Sequence, residues 1–191
     1  MQLRTAALLS VLLIPSGAHA AVSVIGGGIA HSCFVAAERT GTLAAEETCT
    51  MALDEMSLSL RDRAATYVNR GVVRTGIRRF EAALSDYNQA IAMGEHLSPV
   101  DLGVAYINRA SVLNATGHYT QAIEDTNKGL SLGTARPEIA YYVRALSEEE
   151  LGDVRAAYFD YKQSIALVPG FEPAAQELKR FHVEYRPAGG G

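Results

Sequence analysis

The stretch GVAYINRA at residues 103–110 has two relatives in the same chain, AATYVNRG at 64–71 and EIAYYVRA at 138–145. In each copy a tyrosine stands four residues before a small residue. That spacing places both side chains on one face of an α-helix. A small residue on such a face lets a second helix approach closely, and the tyrosine fills the space beside it. The three stretches therefore predict three copies of one helical unit.

Each octapeptide is followed by a second helical pattern. An alanine comes twelve residues after the small residue, and another small residue comes seven residues later. These spacings predict a second helix that packs against the first. Pro99 and Pro137 stand at predicted first helical positions, where proline is well tolerated. After Ala21 no stretch shows sustained alternation with period two, so we expect essentially no sheet.

The recurring pattern resembles the tetratricopeptide repeat, a family whose unit is a pair of antiparallel helices about 34 residues long. The resemblance covers about residues 64–171, with units at 64–97, 103–136 and 138–171. It implies an all-α fold, a right-handed superhelical solenoid of antiparallel helix hairpins. The family's proline near the end of the unit is matched by Pro169 in the third unit and is missing from the other two.

Residues 1–20 have the pattern of a secretory signal peptide. Arg4 supplies a positive charge, an apolar run covers 6–14, and the small-x-small cleavage pattern is found at 18–20. The run is too short to span a bilayer as a helix. We expect a periplasmic protein that begins at Ala21, with no membrane insertion after cleavage. An uncleaved anchor is the alternative.

The chain has two cysteines, Cys33 and Cys49, and in an exported protein such a pair suggests a disulfide. Fitting residues 21–63 to the repeat pattern places the two cysteines on facing helices of a degenerate N-terminal hairpin. A metal site formed by His31 and Cys33 is the alternative, and it lacks a second pair of ligands.

The C-terminal end of the chain is predicted to close the stack of repeats. A solenoid needs a terminal element with one polar face. We expect a capping helix over 172–186, with Ala174, Leu178 and Phe181 on its inner side. A flexible tail is expected at 187–191.

An arginine and an aspartate recur sixteen residues apart in every unit. The pairs are Arg70 with Asp86, Arg109 with Asp125, and Arg144 with Asp160. We favour a structural ion pair within or between hairpins, because half-buried arginines are usually paired. The alternative is a row of arginines that binds acidic ligands.

The composition and the motifs exclude some classes of function. The chain carries 17 Lys+Arg against 21 Asp+Glu, a net charge of -4, which argues against a dedicated nucleic-acid-binding protein. No catalytic constellation, metal-ligand motif or cofactor motif stands out, so we expect neither an enzyme nor a cofactor.

The resemblance also implies a concave, partner-binding groove lined by the first helices. Asn69 and Asn108 are its most informative positions, because an amide side chain can both donate to and accept from a peptide backbone. A solvated residue or a hydrogen bond between repeats is an equally open interpretation. Val143 stands at the third equivalent position. The full set is Val68, Asn69, Val72, Thr75, Val104, Ile107, Asn108, Ser111, Asn114, Ile139, Tyr142, Leu146 and Glu149.

Apolar residues stand where one subgroup of the family carries cations that bind a C-terminal carboxylate, so we do not expect that activity. These are Val68, Ile139 and Val143. The leading hypothesis is a non-catalytic interaction module of the cell envelope that binds a peptide or a partner's helix. The alternative is a structural or self-associating subunit of a larger envelope complex.

Overall fold

The computed structural model describes residues 2–5, 19–25, 27–39, 41–55 and 57–184. Its elements are β1 (Gln2–Thr5), α1 (Ile29–Arg39), α2 (Leu43–Asp54), α3 (Leu60–Gly76), α4 (Phe80–Ala92), α5 (Pro99–Ala115), α6 (Tyr119–Leu132), α7 (Pro137–Glu150), α8 (Val154–Leu167), α9 (Glu172–Leu178) and β2 (Phe181–Glu184). The fold is all-α. Most of the predicted signal peptide, residues 6–18, and the predicted tail at 187–191 lie outside the described residues.

Polar side chains and prolines set where the long helices begin. The hydroxyls of Ser59 and Ser98 accept hydrogen bonds from the N–H groups three residues later and cap α3 and α5. Pro99 and Pro137 stand at the beginning of α5 and α7, as the sequence predicts. Gly133 ends α6 in the left-handed conformation, at a φ of 81°, that favours glycine.

The first eight helices pack in the order of the chain. The most extensive contacts join α3 to α4, α5 to α6 and α7 to α8, and α1 packs against α2. Each pair also contacts the next one, and α3 and α5 lie between first helices on either side of them. The odd-numbered helices α1, α3, α5 and α7 therefore form one continuous layer.

Small residues let the two helices of a pair approach closely. A Cβ atom added to Gly71 would lie 2.5 Å from the Cε1 atom of Tyr87, which is fully buried. The Tyr87 hydroxyl lies 3.1 Å from the hydroxyl of Thr75, its hydrogen-bond partner. Burial raises the pKa of Tyr87, so this ring stays neutral and bonded at ordinary pH.

The first helix pair is joined covalently. A disulfide links Cys33 of α1 to Cys49 of α2, and both cysteines are fully buried. The two are 16 residues apart, a loop length for which chain entropy predicts a stabilisation of about 3 kcal/mol. The predicted disulfide is therefore present, and it fits an extracytoplasmic protein.

The C-terminal cap differs from the expectation. The helix predicted over 172–186 ends at Leu178, and Phe181–Glu184 is a strand that pairs antiparallel with Gln2–Thr5. Phe181 is buried and its ring centroid lies 5.8 Å from that of Tyr161, so the apolar contact expected of a capping helix is made by an extended segment. The segment that pairs with this strand lies in the predicted signal peptide, so the pairing is a feature of the uncleaved chain.

Candidate functional site

The predicted groove positions lie on the layer of odd-numbered helices. Eleven of them are buried, and Leu146 and Glu149 are half-buried. A surface that binds a partner would be open to water in the free protein, so the question is what covers these residues. Two kinds of neighbour do so: a segment of the chain itself, and side chains of adjacent helices.

Residues 20–25 cover one part of this layer, and we call them the N-terminal strap. Val22 and Val24 are buried, whereas Ser23 and Ile25 are exposed. Burial that alternates with period two is typical of an extended chain with one face against the protein. The two valines belong to the same hydrophobic cluster as Val68 of α3.

Asn69 binds the main chain of the strap at Val22. The Val22 N–H donates to Oδ1 of Asn69 at 2.7 Å, and Nδ2 of Asn69 donates to the Val22 carbonyl at 2.8 Å. Asn69 is fully buried, so both of its contacts are shielded from water. One amide therefore satisfies the donor and the acceptor of one strap residue, which is the role that the sequence analysis considered for this position.

Asn108 makes the same contact two residues earlier in the strap. The Ala20 N–H donates to Oδ1 of Asn108 at 3.2 Å, and Nδ2 of Asn108 donates to the Ala20 carbonyl at 2.8 Å. Ala20 and Val22 present the same edge because the N–H and C=O groups of alternate residues in an extended chain point the same way. The two amides on α3 and α5 therefore form a ladder with two rungs, which we call the amide pair.

The other end of the strap is held by the beginning of α3. The Ile25 N–H donates to Oδ1 of Asp62 at 2.9 Å, and Nη1 of Arg61 donates to the Ser23 carbonyl at 3.1 Å. Sequence reasoning missed both residues. The Ser59-x-x-Asp62 spacing is a capping signal that locates the start of α3, but it carries no information about a strap.

The remaining polar groove positions are bonded inside the helical layer. The Thr75 hydroxyl donates to the Gly71 carbonyl, and the Ser111 hydroxyl donates to the Ile107 carbonyl. Nδ2 of Asn114 on α5 donates to the Ser147 hydroxyl on α7 at 2.9 Å. These three side chains therefore stabilise helices or join them, and their hydrogen-bonding groups are directed inward.

Three of the four positions predicted on α7, namely Tyr142, Leu146 and Glu149, face the C-terminal cap. Glu149 accepts hydrogen bonds from the Tyr161 hydroxyl at 3.1 Å and from Arg180 at 2.9 Å. The Tyr142 ring packs edge-on against Phe171, with centroids 5.6 Å apart. Leu146 packs against the hydrophobic cluster that contains Tyr142 and Phe181.

The amide ladder stops at α7. Val143, which stands where a third asparagine would be, is buried in the helical core. Beside Asn108, Ala20, Ile107, Ile139 and residues of the loop before α7 lie close together and leave no space for a water molecule. Val72 and Val104 complete the buried apolar surface of the predicted groove.

The recurring arginines and aspartates are bonded to each other in each unit. Arg109 donates from Nε and Nη2 to the two carboxylate oxygens of Asp125, both at 2.7 Å. Arg70 binds Asp86 in the same way at 3.0 and 2.8 Å. Arg144 binds Asp160 at 2.5 and 2.9 Å.

Each of these arginines also reaches back to the preceding helix pair. Nη1 of Arg109 donates to Asn88 of α4 at 2.7 Å, and Arg144 and Arg70 contact Asn127 and Thr50 correspondingly. The hydrogen bond to Asp125 raises the pKa of Arg109 further above its usual value. The arginines are thus occupied by internal partners rather than presented as a row to an acidic ligand.

The carboxyl group of Glu148 on α7 has a strongly raised pKa. Glu148 has a carboxylate oxygen that is buried with no hydrogen-bond partner among the described residues. Burial, followed by the charge of Asp160, raises its pKa to about 7 despite the opposing effect of Arg144. It lies beside the third arginine–aspartate pair and away from the strap.

Within the described ranges no group of three or more His, Cys, Asp or Glu residues is placed to hold a metal ion. No helix in the same ranges is both long enough and apolar enough to cross a membrane. Neither a scan against protein-family models nor a search of curated proteins finds a match to the chain. The candidate site therefore has to be interpreted from its own geometry.

Proposed function

We propose that the chain is an exported helical-repeat protein that binds extended peptide segments through the amide pair, Asn69 and Asn108. In this proposal its helix pairs form a solenoid of the tetratricopeptide type, the layer of odd-numbered helices is the concave face, and the protein acts by association rather than catalysis. The periplasm is the proposed compartment, on the strength of the signal pattern and the disulfide.

The observation that carries the proposal is the two-point contact of each amide with one strap residue. Every hydrogen bond in these contacts is made to a main-chain N–H or C=O group. Such contacts do not depend on the identity of the bound side chains, so the same two asparagines can hold another peptide. The buried position of both amides strengthens each bond by excluding water.

The proposal is tested by selecting peptides from a displayed library on the purified chain and measuring their affinity by fluorescence anisotropy. We expect peptides whose binding weakens at least tenfold in the double variant Asn69→Leu, Asn108→Leu. A matched control, Gln89→Leu, removes an exposed amide from α4, outside the strap contacts, and should leave the affinity unchanged. Peptides that bind the double variant as tightly as the natural chain would contradict the site assignment.

The proposed compartment has a separate test. The chain is expressed with its first 20 residues in a Gram-negative host, and the intact mass of the protein in the periplasmic fraction is measured. We expect a mature protein that begins at Ala21. A product that retains residues 1–20 in the membrane fraction would support the uncleaved anchor instead.

A further inference from the structure

The strap is held as a separate peptide would be held. Its hydrogen-bond partners are distant in sequence: Val22 and Asn69 are 47 positions apart, and Ala20 and Asn108 are 88 positions apart. All six of the hydrogen bonds described above use main-chain atoms of the strap. Another extended segment could therefore make the same main-chain hydrogen bonds to the amide pair that the strap makes.

The side chains of the strap show which segments fit. Val22 is 1% exposed and Val24 is 9% exposed, whereas Ile25, which follows them, is 78% exposed. A charged residue at either valine position would be buried without a partner, which is strongly unfavourable. The intervening positions face outward and accept a wide range of residues.

In a chain that begins at Ala21 the strap is attached to the rest of the protein only at its C-terminal end, whereas in the full chain residues 2–5 are also held by pairing with 181–184. Residues 26–28 are glycines that connect it to α1, and Gly27 and Gly28 are exposed. A Cβ atom added to either of those two would meet nothing within 4 Å, so the connection is not packed against the helices. The strap can therefore leave the amide pair without the helix pairs having to separate.

From these observations we propose that the partner of this site is an extended segment with small branched apolar residues at two alternate positions, and that it binds by displacing the N-terminal strap. This inference rests on the proposed function and adds the class of ligand and the control of access. The tethered strap competes at a high effective concentration, so the apparent affinity for a free peptide is reduced by the fraction of molecules in which the strap is closed.

The test weakens the strap without touching the amide pair. Val22→Pro removes the N–H that donates to Asn69. Ser23→Pro is the control: it introduces proline one residue later, where the carbonyl rather than the N–H makes the contact, so the hydrogen bond from Arg61 is kept. The probe is a fluorescein-labelled peptide with the sequence of residues 19–25, capped at its free end. Val22 follows the predicted cleavage point, so its contact with Asn69 is kept when residues 1–20 are removed, whereas the contact of Ala20 with Asn108 is lost.

We expect the peptide to bind Val22→Pro at least tenfold more tightly than it binds the natural chain, a change of about 1.4 kcal/mol. Ser23→Pro should bind like the natural chain. A second peptide that carries the substitution Val22→Asp should bind all three proteins at least tenfold more weakly than the first peptide does.

Displacement would be overturned if the first peptide bound the natural chain and Val22→Pro with equal affinity. If adding Asn69→Leu to each of these proteins then abolished binding, the proposed function would still stand. Absence of binding to all three proteins would overturn both proposals. A measurement that needs no variant is hydrogen exchange of the Val22 N–H. It should speed up when the natural chain is saturated with peptide, and unchanged exchange at saturation would also overturn displacement.

Discussion

Replacing Asp125 by alanine removes one partner of a bidentate ion pair and leaves the other in place. Arg109 loses two charge-assisted hydrogen bonds of 2.7 Å and keeps its contact with Asn88. We expect the variant to fold and to be clearly less stable, because the remaining guanidinium is largely surrounded by protein.

The magnitude follows from the exposure of the two side chains. The Asp125 side chain is 9% exposed and that of Arg109 is 22% exposed. Breaking a fully buried pair costs about 3–5 kcal/mol. Arg109 can turn partly toward water and retains its position over the Tyr106 ring, 5.5 Å from the centroid, so the expected loss is about 2–3 kcal/mol.

The assay is urea unfolding followed by circular dichroism, since the chain has no Trp for fluorescence. Glu124→Ala is the matched control, because it removes the same charge from an exposed position on the same helix. The control should lie within about 0.5 kcal/mol of the natural chain. Asp125→Ala that is no less stable than this control would refute the structural interpretation of the arginine–aspartate pairs.

A second substitution separates the pair from its surroundings. Adding Arg109→Met to Asp125→Ala removes the unpaired charge and keeps much of the apolar bulk. We expect the double variant to be more stable than Asp125→Ala alone, because an ion pair replaced as a whole is often nearly neutral. Simple additivity of the two single changes would contradict the direct coupling seen in the structure.

Three further predictions concern separate features. The double variant Cys33→Ala, Cys49→Ala should lose about 3 kcal/mol of unfolding free energy in urea, from the loop that the disulfide closes. The pKa of Glu148 is raised from 4.5 to about 7, so between these pH values the folded state keeps a proton that the unfolded state has released. Stability should therefore fall as pH rises from about 4.5 to about 7, and Glu148→Gln should remove roughly 2 kcal/mol of this fall. Gly71→Ala should cost roughly 2 kcal/mol or more, because its Cβ would lie 2.5 Å from the buried Tyr87 ring, and thermal unfolding measures the loss.

Each of these has a control and a contrary outcome. A reducing agent should not destabilise the double cysteine variant further. Glu47→Gln, at an exposed position, should leave the pH dependence unchanged, and a Glu148→Gln variant with the natural pH profile would contradict the raised pKa. Gly27→Ala, which meets no neighbour within 4 Å, should be nearly neutral, and an equal effect at Gly71 would contradict the packing described for α3 and α4.

The helices could be predicted from the sequence because their determinants are local or repeated. The tyrosine and small-residue spacing that begins at Tyr67 predicts two helices per unit, and the structure places Gly71 against Tyr87. Prolines at 99 and 137 locate two helix starts. The end of α9 at Leu178 was not predicted, because the strand after it depends on pairing with residues 2–5 at the other end of the chain.

The candidate site was only half predictable. Family-like positions singled out Asn69 and Asn108, and the chemistry of an amide indicated main-chain recognition. No sequence pattern shows that the bound main chain is the strap. Every residue except proline has the same N–H and C=O groups, so hydrogen bonds to these groups do not require particular side chains in the strap. The resemblance to the repeat family also placed Thr75 and Glu149 in the groove. Their hydrogen-bond partners instead depend on the local packing of each helix pair.

The arginines that reach back to the preceding helix pair have a consequence for the length of the array. Arg109 donates to Asn88 of the preceding helix pair, and Arg144 donates to Asn127 of its own preceding pair. The same arginine–asparagine hydrogen bond therefore joins each of these two helix pairs to the one before it. A duplicate of residues 99–136, inserted in tandem, would bring its own copy of both halves of the joint. Lengthening the protein by whole modules is therefore a modest step in design or in evolution, since no new docking chemistry has to be invented.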